Sequence, residues 1–301
     1  MIDLLAKGAV RIGDIEQEAH YTPTASALQG VASVITGSEV ATLNFITGIV
    51  YLVNYGGVDH ASDYVWLQTT NSSQSGYIYG WQWVTLTGLT GYIGTAVGFA
   101  FSGMFTSTMT GTLDGFKLVG ACYQTTDEYG NPVTVCPSLF TVGLSMSVSS
   151  GSTVKFSSTI VVGISGWSII TSQYYWGTIS TVIPNADFLR NIAMLFLPKP
   201  VASLGYVAPR GYISTFAIGG YSTRLSVSLG TAQVRFYGSV YIDQDISVST
   251  LYWTGGDTLY ITYPSPSTLY LYNTLAVVLS SPMDPQPGGY HYFTLLITFT
   301  S

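Results

Sequence analysis

Cys122 and Cys136 are the only two cysteines of the chain, and they bracket the turn signal Tyr129-Gly130-Asn131-Pro132. A hairpin over this segment would set the two thiols opposite each other, and closing a loop of that size is worth about 3 kcal/mol in the chain-entropy model. A disulfide is expected, with two buried free thiols as the alternative. No metal site is expected there, because no histidine stands near in the sequence. His20, His60 and His291 are scattered. His60 lies in Asp59-His60-Ala61-Ser62-Asp63, which holds the residue types of a ligand cluster or half a catalytic set but matches no known spacing, so a solvated loop histidine is expected. Asp243 and Asp245, on one face of a strand end, could hold Ca²⁺ with carbonyl help, against the plainer reading of a solvated polar edge. Trp81 and Trp83 share one strand face, a geometry able to stack sugar rings, and packing in a core or subunit interface is the preferred account. The single sequon, Asn71-Ser72-Ser73, makes Asn71 a glycosylation candidate. The sequence contains no nucleophile elbow, HExxH, P-loop or dinucleotide fingerprint. No catalytic residue, metal ligand or cofactor is assigned, and the chain reads as a non-enzyme.

The scarcity of charge explains why chemistry is so hard to place. Lys, Arg, Asp and Glu make up 8% of the 301 residues, against about a quarter in an ordinary soluble domain. Tyr64 to Leu113 and Phe156 to Ala186 contain no charged side chain. Serine, threonine and the 23 tyrosines must wet the surface instead. Such a surface has little repulsion to keep copies apart and so favours self-association. Nine unclustered Lys and Arg argue against direct nucleic-acid binding. The opening segment, MIDLLAKGAVRIGDIEQEAH, carries charges throughout, so no secretory leader is read there and assembly in a cytoplasm is expected. The uncharged stretch Leu89–Phe105 has Gly94 and Gly98 at the spacing of packed membrane helices. Its four glycines and Thr-rich flanks instead predict buried β-structure, and no membrane contact is expected.

The elements that must position these residues are strands. In Thr231–Asp243, the set Ala232, Val234, Phe236, Val240 and Ile242 alternates with Gln233, Arg235, Tyr237, Ser239, Tyr241 and Asp243. In Tyr290–Thr300, His291, Phe293, Leu295, Ile297 and Phe299 form one face. Similar alternation recurs at Gly143–Ser149, Arg224–Leu229, Thr258–Tyr263 and Ser267–Leu279, with Gly, Pro, Asn and Ser clusters between the runs. The fold class expected is all-β, an antiparallel β-sandwich of jelly-roll type, single or double. Two segments depart from this pattern. Residues 1 to 20 hold Ile2, Leu5, Ala9 and Ile12 at roughly helical spacing, which predicts a short helix or a flexible arm. Asn185–Leu197 lies between Pro184 and Pro198, which predicts one short helix near 185–197. The organisation expected is an N-terminal arm or exchanged strand over 1–40, a sandwich over 41–184, a helix or linker over 185–200, and a second β region over 201–301.

The uncharged Ser/Thr/Tyr/Gly strands, the six Gly-Tyr dipeptides (at Gly76, Gly91, Gly205, Gly211, Gly220 and Gly289) and the lone Cys122/Cys136 hairpin resemble virion coat and surface-filament proteins of hyperthermophilic archaea and their viruses. The resemblance is one of texture along most of the chain and transfers no site. It implies a self-assembling structural protein. The leading form is a viral coat protein in a virion assembled in the host cytoplasm, with other coat proteins as further partners. The alternative is an extracellular cell-surface filament subunit joined by donor-strand exchange. For that form the assembly strand would lie in Thr22–Val40, carried by Thr22, Ala25, Leu28, Val31, Val34 and Val40.

Overall fold

The computed structural model describes residues 2–36, 46–56, 58–69, 76–90, 92, 94–165, 168–170, 179–184, 186–198, 213–230, 233–254 and 273–300. All but two short helices of its regular structure is strand. In chain order the first half contributes β1 (Ile2–Ile12), β2 (Ile15–Pro23), α1 (Ala25–Thr36), β3 (Gly48–Tyr55), β4 (Val58–Gln68), β5 (Gly76–Thr87) and β6 (Thr95–Thr106). It continues with β7 (Gly111–Val119), β8 (Tyr123–Thr126), β9 (Pro132–Val135), β10 (Ser138–Val148) and β11 (Thr153–Ile164).

Nine of these strands close on themselves. The order is β11-β6-β5-β4-β3-β7-β10-β2-β1, and β1 returns to β11 along its whole length, from Ile2 opposite Ile164 to Ile12 opposite Val154. Two strands change neighbours to make the closure. β2 pairs with β1 through His20 and then hands Tyr21–Pro23 to β10, while β4 pairs with β3 and then runs parallel to β5 at Leu67 and Gln68. The two corners are short, three residue pairs between β2 and β10 and two between β4 and β5, so along the rest of their length these four strands have a strand partner on one side only among the described residues.

The first 23 residues therefore belong to the body of the fold. The helix or free arm expected over residues 1 to 20 is not formed. In β1 the side chains of Ile2, Leu4 and Val10 are buried and Ala6 and Ile12 pack against the core, a period of two, which outweighs the looser helical spacing of Ile2, Leu5, Ala9 and Ile12. The stretch proposed as an exchanged strand is mostly α1. The Thr24 hydroxyl accepts from the Ala27 amide at 3.4 Å and donates to the Ser138 carbonyl, and the Thr24 carbonyl accepts from Leu28 N at 3.1 Å. Ala27, Gly30, Val31 and Ile35 then form a buried helical stripe against β10 and the second helix. Helical spacing is the pattern that uses all four.

Glycine carries a specific burden in β6. A Cβ on Gly98 would stand 1.9 Å from the Ile160 carbonyl oxygen of β11, so the strands can approach there only because the side chain is missing. The uncharged stretch around it is thus a buried strand, and no helix among the described residues is long and apolar enough to cross a membrane. A register shift between Ile78 and Gly80 leaves Tyr79 as an extra residue in β5. This bulge reverses the alternation, so Trp81 and Trp83 pack against the core although Ile78 upstream does too.

The second half adds β12 (Ser168–Ile170), β13 (Ile179–Pro184), α2 (Ala186–Met194), β14 (Thr215–Ile218), β15 (Tyr221–Arg224), β16 (Ser226–Gly230), β17 (Gln233–Ile242), β18 (Val248–Thr254), β19 (Asn273–Met283) and β20 (Gly289–Thr300). Five strands form a separate sheet, β13-β19-β18-β14-β15. β16, β17 and β20 extend from the circuit, joined to it where Ile2 and Asp3 run parallel to Phe299 and Thr300, and β12 pairs with β20. These strands and the five-stranded sheet meet through Phe216 and Phe293, whose ring centroids are 3.8 Å apart. β12 and β13 precede α2 in sequence yet pair with strands that follow it, so the two halves interleave around residue 184.

α2 stops in three consecutive tight turns, Leu195 N to Ile192 O, Phe196 N to Ala193 O and Leu197 N to Met194 O. Its apolar run from Ile192 to Leu197 is wholly buried. The helix packs on β6 and β11, and Phe196 meets Phe140 of β10 edge to face at 5.1 Å.

Candidate self-association surface

The alternation of β17 sends Val234, Phe236, Val240 and Ile242 into the core and turns Arg235, Tyr237 and Tyr241 outward. β20 repeats the arrangement, with Phe293, Leu295, Ile297 and Phe299 inside and Tyr290 and Tyr292 outside. The antiparallel register sets Tyr241 opposite Tyr290, Ser239 opposite Tyr292 and Tyr237 opposite Thr294. Tyr241 and Tyr290 touch as a ring pair with centroids 5.1 Å apart. The four tyrosines are 44 to 60% exposed, and together they make an aromatic outer face. His291 points the other way: it is buried, and its Nε2 lies 2.9 Å from the Gln286 carbonyl oxygen.

β16 is the last strand of this sheet. It pairs with β17 on one side, all five of its residues are exposed, and among the described residues no strand pairs with its other edge. Val227 opposes Phe236 and Leu229 opposes Val234, so both lie on the core-side face. They are nevertheless 39 and 60% exposed.

A second exposed feature is the ribbon of β8 and β9. Cys122 and Cys136 are joined as a disulfide one step beyond the pair Tyr123–Val135. At the other end the Asp127 carboxylate accepts from Tyr129 N at 3.0 Å, Asn131 N at 2.8 Å and Asn131 Nδ2 at 3.1 Å. These bonds, that of the Asn131 side chain foremost, hold the Asp127 carboxyl below the usual carboxylate range. Tyr129 at the tip is 81% exposed.

The remaining sequence candidates do not converge. Thr22 faces Thr141 across β2 and β10. Ala25, Leu28, Val31 and Val34 lie along α1, Val31 buried and Ala25 exposed. Val40 and Asn71 lie outside the described residues. His60 is placed in β4, opposite Val53, rather than in a loop. Asp243 accepts from the Tyr221 hydroxyl, which, with burial, raises the Tyr221 pKa. Asp245 is exposed, and among the described residues no three His, Cys, Asp or Glu side chains gather as a metal site. Trp83 packs edge to face on Phe99 and carries the Arg190 guanidinium 5.8 Å above its ring, a use in packing. Sequence reasoning found the outward tyrosines strand by strand but missed that β17 and β20 bring them side by side. Comparison with protein-family models, curated proteins and solved structures finds no match for this chain.

Proposed function

We propose that this chain is a non-enzymatic structural protein that assembles with copies of itself, and that the assembly is a virion coat built in a host cytoplasm. The tyrosine face of β17 and β20 carries the reading. Arg235 is the one Lys, Arg, Asp or Glu on β16, β17 and β20, so little charge solvates that face or repels a second copy. Tyrosine suits such a surface because the ring buries area while the hydroxyl keeps a hydrogen bond. On this reading the nine-strand circuit is a jelly-roll-type β-sandwich and the strands from β12 onward form a second sandwich. The stapled, projecting β8–β9 ribbon also suits a protein that meets neighbours in an outer layer.

Electron microscopy and sedimentation of the purified chain at rising concentration test the proposal. Closed shells are the expected product. Fibres would point to a surface filament instead, and a monodisperse monomer at every concentration would overturn assembly altogether. Replacing Tyr241 and Tyr290 by serine should weaken assembly while leaving the melting temperature of the subunit nearly unchanged, since both side chains are exposed.

A further inference from the structure

We propose that β16 is a dimerisation edge: two copies join their Ser226–Gly230 strands antiparallel about a twofold axis at Ser228, which continues the β17–β20 sheet from one molecule into the next. The inference rests on the self-assembly reading and names one contact within it.

Three observations converge on a second copy as the occupant. The outer edge of β16 has no strand partner among the described residues, so its backbone donors and acceptors are available to another strand. The edge also lacks the usual protections. Ser226, Val227, Ser228, Leu229 and Gly230 include neither charge nor proline, and the strand pairs with β17 without a bulge. The nearest charge within the sheet, Arg235, sits one strand inward opposite Ser228. In the paired dimer the two copies of Arg235 would be three strand spacings apart, about 14 Å, beyond the screening length at physiological salt.

The order of residues is self-complementary. With the axis at Ser228, Val227 of each copy opposes Leu229 of the other, and Ser226 opposes Gly230. The two apolar pairs fall on the face shared with Phe236 and Val234, where Val227 and Leu229 are now uncovered. A register moved by one residue would set each apolar side chain against a serine or Gly230 and turn one sheet over. An axis at Val227 or Leu229 would leave part of the five-residue strand unpaired.

The test uses single cysteine variants of the full chain, in which the native cysteines are already joined to each other. Under mild oxidation Ser228→Cys should form a covalent dimer, because the axis brings that residue against its own copy. Ser226→Cys should not, since its copies would stand about 13 Å apart, four residues along the strand pair. The double variant V227K/L229K should raise the dissociation constant of the dimer at least tenfold in sedimentation, with an unchanged circular dichroism spectrum. If the wild-type chain associates while Ser228→Cys stays uncrosslinked, or while both cysteine variants crosslink alike, the β16 contact is overturned and self-assembly stands. A wild-type chain that remains monomeric overturns both.

Discussion

The phenol of Tyr21 crosses Gly8 to reach a strand two places away in the sheet. Its hydroxyl donates to the Ser157 carbonyl at 2.9 Å and accepts from Ser158 Oγ at 2.6 Å. Gly8 lies between them on β1, opposite Ala19 of β2 and Ser158 of β11. A Cβ at Gly8 would stand 1.8 Å from the Ser157 oxygen and 3.0 Å from Tyr21 Cε2. The missing side chain is thus what lets this seam of the circuit close. Gly8→Ala should cost about 1–3 kcal/mol, the range of a steric insertion into a packed core. The check is a urea unfolding curve, in which the midpoint should fall without a change of slope.

Tyr21 also makes stability sensitive to alkali. Burial pushes its pKa far above the ordinary tyrosine value, and the hydrogen bond from Ser158 offsets only part of that. The raised folded-state value means that the contribution is fully present below the unfolded pKa of about 10 and is lost as the pH climbs from there towards the folded value. Tyr21→Phe should lower stability at neutral pH by about 1–3 kcal/mol, because Ser158 is buried and loses its acceptor. The same variant should show a shallower decline above pH ~10. Denaturant midpoints of both proteins at neutral and alkaline pH decide it.

Acid should loosen the turn of the β8 and β9 ribbon. The depressed Asp127 carboxyl stabilises the turn above the ordinary carboxylate range, and that contribution disappears as the pH falls through the depressed value. Asp127→Ala should remove the pH dependence and speed hydrogen exchange at the Tyr129 and Asn131 amides, both of which Asp127 accepts from. Global unfolding should hardly move, because the group is at the surface.

Reducing the disulfide should have an equally local effect. Both strands of the ribbon are exposed almost throughout, and a two-stranded hairpin alone is marginal in water. Cys122→Ser with Cys136→Ser should remove about 3 kcal/mol of loop constraint. Limited proteolysis should then cut between residues 122 and 136 while the nine-strand circuit stays intact.

Thr254 offers a stabilising change. Its hydroxyl is buried and has no hydrogen-bond partner among the described residues, as is also true of the Trp253 indole nitrogen beside it. Thr254→Val keeps the branched shape and removes the unmet polar group, so it should raise stability by about 1 kcal/mol. A lowered melting temperature would mean that the hydroxyl is satisfied.

Period-two alternation is a property of a few neighbouring residues, so the all-β character could be read directly from segments such as Gln233–Ile242 and Gly289–Thr300. Local signals also announced α2 between two prolines and the turn that sets Cys122 against Cys136. The role of residues 2–23 could not be read in this way. The apolar residues of β1 suit a strand or a loose helix until β2 and β11 cover both of its edges. The bulge at Tyr79 likewise reverses the faces of Trp81 and Trp83 without any mark in the sequence. Side-chain types and their spacing determined that the chain would make strands, turn at glycine and proline, and leave its surface to hydroxyls. The pairing of β1 with β11, of β17 with β20, and the exposure of β16 were decided only by tertiary structure, because a partner strand is chosen by which apolar faces can be covered together across the whole molecule.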